Sequence, residues 1–181
     1  CDDFAAAMAD ANGVDLTQFK LWYSQAGTPE ITVEGRYDEA AGVYELAVAQ
    51  RCPPTPGQPE KAPMHIPFAV GLLDAQGRGI DLRLDGEPAE AARPDRVLNV
   101  TEARQRFRFV NVSKPKALSL NRRFSAPVIV TASQSGDERA FLMAHDSDPF
   151  ARWEAGQQYA TDLLLDAVAA RMPRLRQQAR G

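Results

Sequence analysis

Apolar residues along this chain change their spacing twice, and the two changes divide it into three stretches. Cys1, Phe4, Ala5, Met8 and Ala9 recur at helical spacing and give a short helix one apolar face. Asp2 and Asp3 stand at its start, where the helix dipole favours negative charge, and Asn12-Gly13 ends it. A second short helix is predicted to start at Asp15, a good N-cap, with Gln18 three residues on completing a capping box. Val14 and Phe19 take the two places of a hydrophobic staple. Gly27 suits the left-handed position after the last helical turn, and Pro29 cannot continue the helix.

From Ile31 the period drops to two. Ile31 and Val33 open the set, followed by Tyr44, Leu46 and Val48, then Ile66, Phe68, Val70 and Leu72. Ile80, Leu82 and Leu84 come after Asp74-Ala75-Gln76-Gly77-Arg78-Gly79, whose glycines mark a hairpin connection. Leu98 and Val100, Phe107 and Phe109, Leu118 and Leu120, Val128 and Val130, and finally Phe141 and Met143 complete the strands. Ser133 to Asp137 reads as a turn before the last of them. Roughly eight short strands with turns between them and no helical crossover predict an antiparallel Ig-like β-sandwich. Each strand offers one apolar face, as two face-to-face sheets require.

Two stretches interrupt the strands. Pro53, Pro54, Pro56, Pro59 and Pro63 are five of the 13 prolines. Proline cannot donate to a ladder, so this stretch is an extended connection. A ligand for a proline-reading domain is the functional alternative, and a loop between strands already accounts for the composition. Asp85 to Asp95 is the second loop.

At Asp148-Pro149 the period returns to helical, with an N-cap and a proline at the first helical position. Phe150, Trp153, Ala160, Leu164, Ala167 and Val168 form its stripe. Pro173 is expected to end it, leaving Arg174 to Arg180 as a frayed basic tail.

Composition narrows the function classes. A chain of 181 residues with 44% hydrophobic residues fits one globular domain with appendages, and no apolar run approaches a membrane span. The opening helix, amphipathic and headed by two acids, does not read as a signal peptide. A net charge of -3 offers no overall attraction to nucleic acid or anionic membrane. Arg104, Arg106 and Arg108 alternate with Phe107 and Phe109, the pattern of a strand with polar residues out and aromatics in. Cys1 and Cys52 make no disulfide framework.

Candidate chemistry is sparse. His145-Asp146-Ser147-Asp148 groups ligand-type side chains, yet zinc wants three or four ligands in a closed shell, and no second cluster completes one. A strand end running into a helix cap explains the same residues. His65 opens a strand. Ser119, Ser125 and Ser133 lack a Gly-x-Ser-x-Gly context, and Gly77-Arg78-Gly79 lacks the remaining spacing of a phosphate loop.

Several blocks, taken in order, resemble the bacterial aminopeptidase N (alanyl aminopeptidase) family of zinc metallopeptidases. They are Cys1-Asp2-Asp3-Phe4, Met8-Ala9-Asp10-Ala11, Val14-Asp15-Leu16 and Trp22-Tyr23-Ser24-Gln25-Ala26-Gly27-Thr28-Pro29. They continue through His65-Ile66-Pro67-Phe68, Val97-Leu98-Asn99-Val100, Phe124-Ser125-Ala126-Pro127-Val128, Phe141-Leu142-Met143-Ala144-His145 and Phe150-Ala151-Arg152-Trp153. The resemblance implies a piece of a longer polypeptide. It places the end of a catalytic domain at residues 1–28, a β-sandwich domain at 29–147 and the first helix of a carboxy-terminal helical domain at 148–181.

The family's His-Glu-x-x-His helix, its downstream glutamate ligand, its Gly-x-Met-Glu-Asn strand and its transition-state tyrosine have no counterpart in this sequence. The expectation is therefore no catalytic, substrate-binding or metal residue in this segment, and no activity from it alone. Zinc, peptide substrates and amino-terminal hydrolysis belong to the implied parent, a cytoplasmic enzyme with reduced thiols. The expected partners are the rest of that chain, with no nucleic acid and no membrane. The alternative is a free-standing sandwich that binds a protein or a carbohydrate, which needs an exposed aromatic platform or an open strand edge. Most aromatic residues fall on apolar positions, so no platform is expected.

Overall fold

A computed structural model describes residues 2–178, with side chains to residue 171. Two short helices, α1 (Asp2–Asn12) and α2 (Leu21–Ser24), precede the strands. The strands are β1 (Glu30–Asp38), β2 (Val43–Arg51), β3 (Ile66–Leu73), β4 (Gly79–Ile80), β5 (Arg96–Val100), β6 (Arg104–Val110), β7 (Ala117–Leu120) and β8 (Ile129–Ala132). Helices α3 (Gly136–His145) and α4 (Pro149–Gln178) come after them. One sheet runs β6-β2-β1-β8. The other runs β4-β3-β5, with β7 also paired to β3. Strand β3 pairs with β5 from Ile66 to Val70 and with β7 from Val70 to Leu73. The pairings are antiparallel except β1 with β8, which is parallel. The Ig-like sandwich expected from the spacing is thus present, with one parallel edge.

The core lies where the alternation places it. Ile31 and Val33 of β1, Leu46 and Val48 of β2, and Phe107 and Phe109 of β6 face Ile66, Phe68, Val70 and Leu72 of β3 across the sandwich. Removing side chains of this size from water contributes about 1.5–3 kcal/mol each. A second, smaller core lies on the outer face of β3 and β7. Leu73 and Ala117 point away from the main core and meet Leu142 and Ala155 of the helices. Strand β3 is consequently buried on both faces along its second half.

The structure corrects four sequence expectations. Phe141 and Met143 are helical: Ser135 accepts the Glu138 N–H and Glu138 reaches back to the Ser135 N–H, a capping box that starts α3. His145 therefore ends a helix, not a strand. Ile80 is in a strand but Leu82 and Leu84 make isolated bridges, to Arg93 and to Phe109. The chain crosses here from β3 in one sheet to β6 in the other, so no continuous ladder can form. At Asp15, the carboxylate accepts the Thr17 N–H at 2.8 Å, but Gln18 does not close a box. Its amide donates instead to the carbonyls of Pro63 (3.1 Å) and Thr101 (2.6 Å), and the helix proper is only Leu21–Ser24. Finally, α4 continues past Pro173 to Gln178. A proline in a helix removes one hydrogen bond and can bend the helix without ending it. Of the expected basic tail, Ala179 and Arg180 lie outside the described residues, as does Cys1.

Candidate functional site

The side chains that do the most specific work sit at the two ends of the sandwich, where helices join it. At the amino-terminal joint, the proline-rich segment has few donors and leaves carbonyls free. Side chains of α2 and its flanks bind them. Trp22 donates its indole N–H to the His65 carbonyl (2.8 Å), and the Gln25 amide makes paired bonds to the backbone of Ala62 (3.1 and 2.9 Å). Gln58 reaches the other way, to the backbone of Ser24 (2.9 Å) and Ala26 (2.8 Å). Lys61 donates to Ala26 O, Thr55 Oγ1 and Gln58 Oε1 within 2.7–2.9 Å. Gly27 turns the chain into β1 at φ +102°, and a Cβ there would sit 3.0 Å from the Cys52 sulfur. The proline stretch is thus a clasp over the joint.

The carboxy-terminal joint centres on Arg122, in a short 3-10 turn (Arg122–Phe124) after β7. Its guanidinium is nearly inaccessible, with 6% of the side chain exposed. Nη1 donates to Asp146 (3.0 Å) and Nη2 to the Ser147 hydroxyl (2.9 Å), both in the turn between α3 and α4. Nε lies 2.9 Å from Asp95, on the loop before β5, off the direction of its own N–H. Gly71 of β3 makes room for it, since a Cβ there would stand 3.0 Å from Nη1. Asp146 also accepts the Asp148 N–H (2.9 Å). Asp148 in turn caps α4 through Ala151 (2.8 Å) and accepts the Arg123 N–H (3.0 Å). Asn121, Arg123 and Phe124 all hold positive φ, at 49°, 57° and 50°. Each such residue costs on the order of 1–3 kcal/mol, sustained here by the bonds around it.

Beside this joint, β8 and the first turns of α4 enclose an apolar groove of about 480 Å³, with Leu120, Val130, Leu142 and Ala151 among its walls. Phe124, Phe150 and Trp153 line its mouth with ring centroids 5.1 and 6.0 Å apart. Phe124 and Trp153 are exposed and Phe150 is half-buried between them, an aromatic row that the helical spacing of Phe150 and Trp153 does not reveal. Phe4, Met8 and Tyr23 on the α1–α2 side, and Leu163, Leu164, Leu165 and Val168 on α4, are likewise exposed.

Most of the residues singled out for chemistry have structural partners, whereas the buried Ser119 hydroxyl has none among the described residues. His65 meets Asn99 at 2.9 Å, and the His145 ring packs on Phe141. Asp146 and Asp148 belong to the Arg122 network. Ser125 donates to Asn121 (3.1 Å) and accepts the Ala69 N–H (2.8 Å). Cys52 is a free thiol, 3.5 Å from the Ala26 carbonyl. Arg108 pairs with Asp85 (2.5 Å), while Phe107 and Phe109 turn inward. Among the described residues, no three His, Cys, Asp or Glu side chains stand close enough together to hold a metal. Among them too, no helix is long and apolar enough to cross a membrane.

An Ig-like sandwich clasped between helical segments, leading directly into a packed helical pair, defines the class. The chain belongs to the family described as a domain of unknown function (DUF3458) with an Ig-like fold, which matches residues 27–133. A second family, a domain of unknown function (DUF3458_C) with ARM repeats, matches residues 136–180. Among curated proteins, it is 46% identical over 157 residues to Aminopeptidase N of Escherichia coli (strain K12), covering 87% of this chain and 18% of that one. It is 40% identical over 169 residues to Aminopeptidase N of Haemophilus influenzae, covering 93% and 19%. A solved structure, Legionella pneumophila aminopeptidase A in complex with aspartic acid, matches with a TM-score of 0.74 and 27% identity over 93% of this chain and 17% of that one. The chain thus spans less than a fifth of the length of these relatives.

Proposed function

We propose that this chain is the non-catalytic bridge of a zinc-dependent aminopeptidase N, a hydrolase that removes amino-terminal residues from peptides. The observation that carries the reading is the clasp at each end of the sandwich, beyond which the helices keep exposed apolar faces. Such faces suit neighbours in the same polypeptide, and in ARM-type arrays each helical unit is completed by the next. In this reading residues 1–28 close the preceding catalytic domain. The sandwich begins at residue 29, and the carboxy-terminal helical part opens with α3 at Gly136, earlier than residue 148 where the sequence reading puts it, because α3 packs on α4 through Leu142 and Ala155. The sandwich's work is geometric: a densely packed body resists deformation and holds the flanking domains at a set distance. Zinc, substrate contacts and the cytoplasmic setting belong to the parent as a whole.

The test is metal analysis and an aminoacyl-anilide assay on the 181-residue chain, beside the full-length protein. The expected result is no stoichiometric zinc and no turnover from the chain, and both from the full-length protein. One tightly held zinc in the chain, or zinc-dependent turnover by it, overturns the reading.

One observation favours a second reading, a free-standing binding module: the aromatic row of Phe124, Phe150 and Trp153. Its rings are tilted by 51° and 41° to one another and do not form the flat platform a sugar ring stacks on, which leaves a protein partner as its occupant.

A further inference from the structure

Among the described residues, Arg122 is the one buried cation, and it touches three separate parts of the chain: Asp95 before β5, the turn holding Asp146 and Ser147, and β3 at Gly71. The Asp146 side chain is fully enclosed, and its second carboxylate oxygen has no hydrogen-bond partner among the described residues. An apolar cluster would fill this space without an unpaired oxygen, and replacing buried ion pairs by packed apolar residues is often neutral or stabilising. Stability alone therefore gives a weak account of the network. Direction gives a better one. A guanidinium fork bonds only along fixed lines in its plane, and here those lines run from the sandwich to the turn that starts α4. The positive φ values at Asn121, Arg123 and Phe124 show the backbone bent to present it.

We infer that Arg122 is a positioning residue, the pin that sets the angle between the sandwich and the α3–α4 pair. The apolar contacts around it hold the two bodies together. The second core of Leu73, Ala117, Leu142 and Ala155, like the Phe124–Phe150 contact, is apolar, and hydrophobic attraction is non-directional. The directional bonds select one orientation among those the apolar surfaces permit. This deepens the bridging reading and depends on it for its purpose, since a bridge set at the wrong angle misplaces the helical domain beyond it.

The experiment is residual dipolar couplings and amide exchange on the 181-residue chain and its Arg122→Met variant. In the unaltered chain one alignment tensor fits both β1–β3 and α4. In R122M two tensors are expected. Exchange in α3 and the first turns of α4 should quicken by about tenfold or more, with β2 and β3 still protected, as for a locally opening unit. Arg122→Lys, which keeps the charge but loses the fork, should not restore the single tensor. A single tensor in R122M, or rescue by lysine, overturns the inference and leaves the bridge intact. Loss of the folded sandwich in R122M also overturns it, by making Arg122 a determinant of the sandwich itself. Two tensors in the unaltered chain would instead remove the rigid bridge.

Discussion

Tyr44 in β2 is almost enclosed, with 8% of its surface exposed and its hydroxyl lying over Gly35 of β1. Burial, with a smaller contribution from the negative charge of Glu138, pushes its pKa up to about 12. An unfolded tyrosine ionises near about 10. The folded value is the higher one, so the neutral phenol contributes stability that is whole below pH ~10 and is lost as pH rises through about 12. Tyr44→Phe should therefore move the alkaline unfolding midpoint, tracked by circular dichroism, to higher pH. A Tyr44 phenolate formed near pH ~10 with structure intact would refute this. The same scale shows why some roles escape sequence reading. Gln18 has the right spacing for a capping box, yet its amide goes to the carbonyls of Pro63 and Thr101, some 45 and 83 positions away. Local spacing carries no information about an acceptor that distant.

At the scale of elements, α3 was readable but hidden by a competing pattern. Phe141 and Met143 alternate as a strand would, whereas Ser135 and Glu138 carry the S-x-x-E signature of a helix start. Burial decides between them: Leu142 is enclosed while Met143 is 43% exposed, the reverse of what the strand reading requires. Ser135→Ala should cost about 1 kcal/mol, the usual penalty for losing such a cap. It should appear in urea unfolding and as faster amide exchange at the start of α3. A change below about 0.3 kcal/mol would mean that packing on α4, including the Arg139–Asp162 ion pair, holds the helix without its cap. The signals for β1, β2 and β6 were plain, because each buries an alternating apolar set.

Across the described residues, most of the exposed large apolar side chains lie on the helices at the two ends, with Val97 of β5 and Ile129 of β8 among the exceptions. Leu164 and Val168 of α4 are 68% and 58% exposed, so no packing among the described residues depends on their burial. Replacing both with glutamine should change the chain's unfolding free energy by less than about 0.5 kcal/mol, as for ordinary surface sites. In the full-length protein of the proposed reading, the same pair of substitutions should lower the thermal midpoint. A large loss in the isolated chain, or none in the full-length protein, would sink the idea that α4 continues into a packed helical array.

The period-two segments, the helical stripe after Asp148-Pro149 and the ordered blocks shared with aminopeptidases were all present in the one-dimensional pattern. Sandwich and family likeness could be read from it because burial of one face in two is a local rule, repeated strand after strand. The parallel β1–β8 edge, the clasp of the proline stretch over α2, the second core behind Leu73 and the Arg122 network belong to the folded molecule alone. Each joins residues far apart in the chain, with partners chosen by which surfaces the packed sheets bring within hydrogen-bond reach.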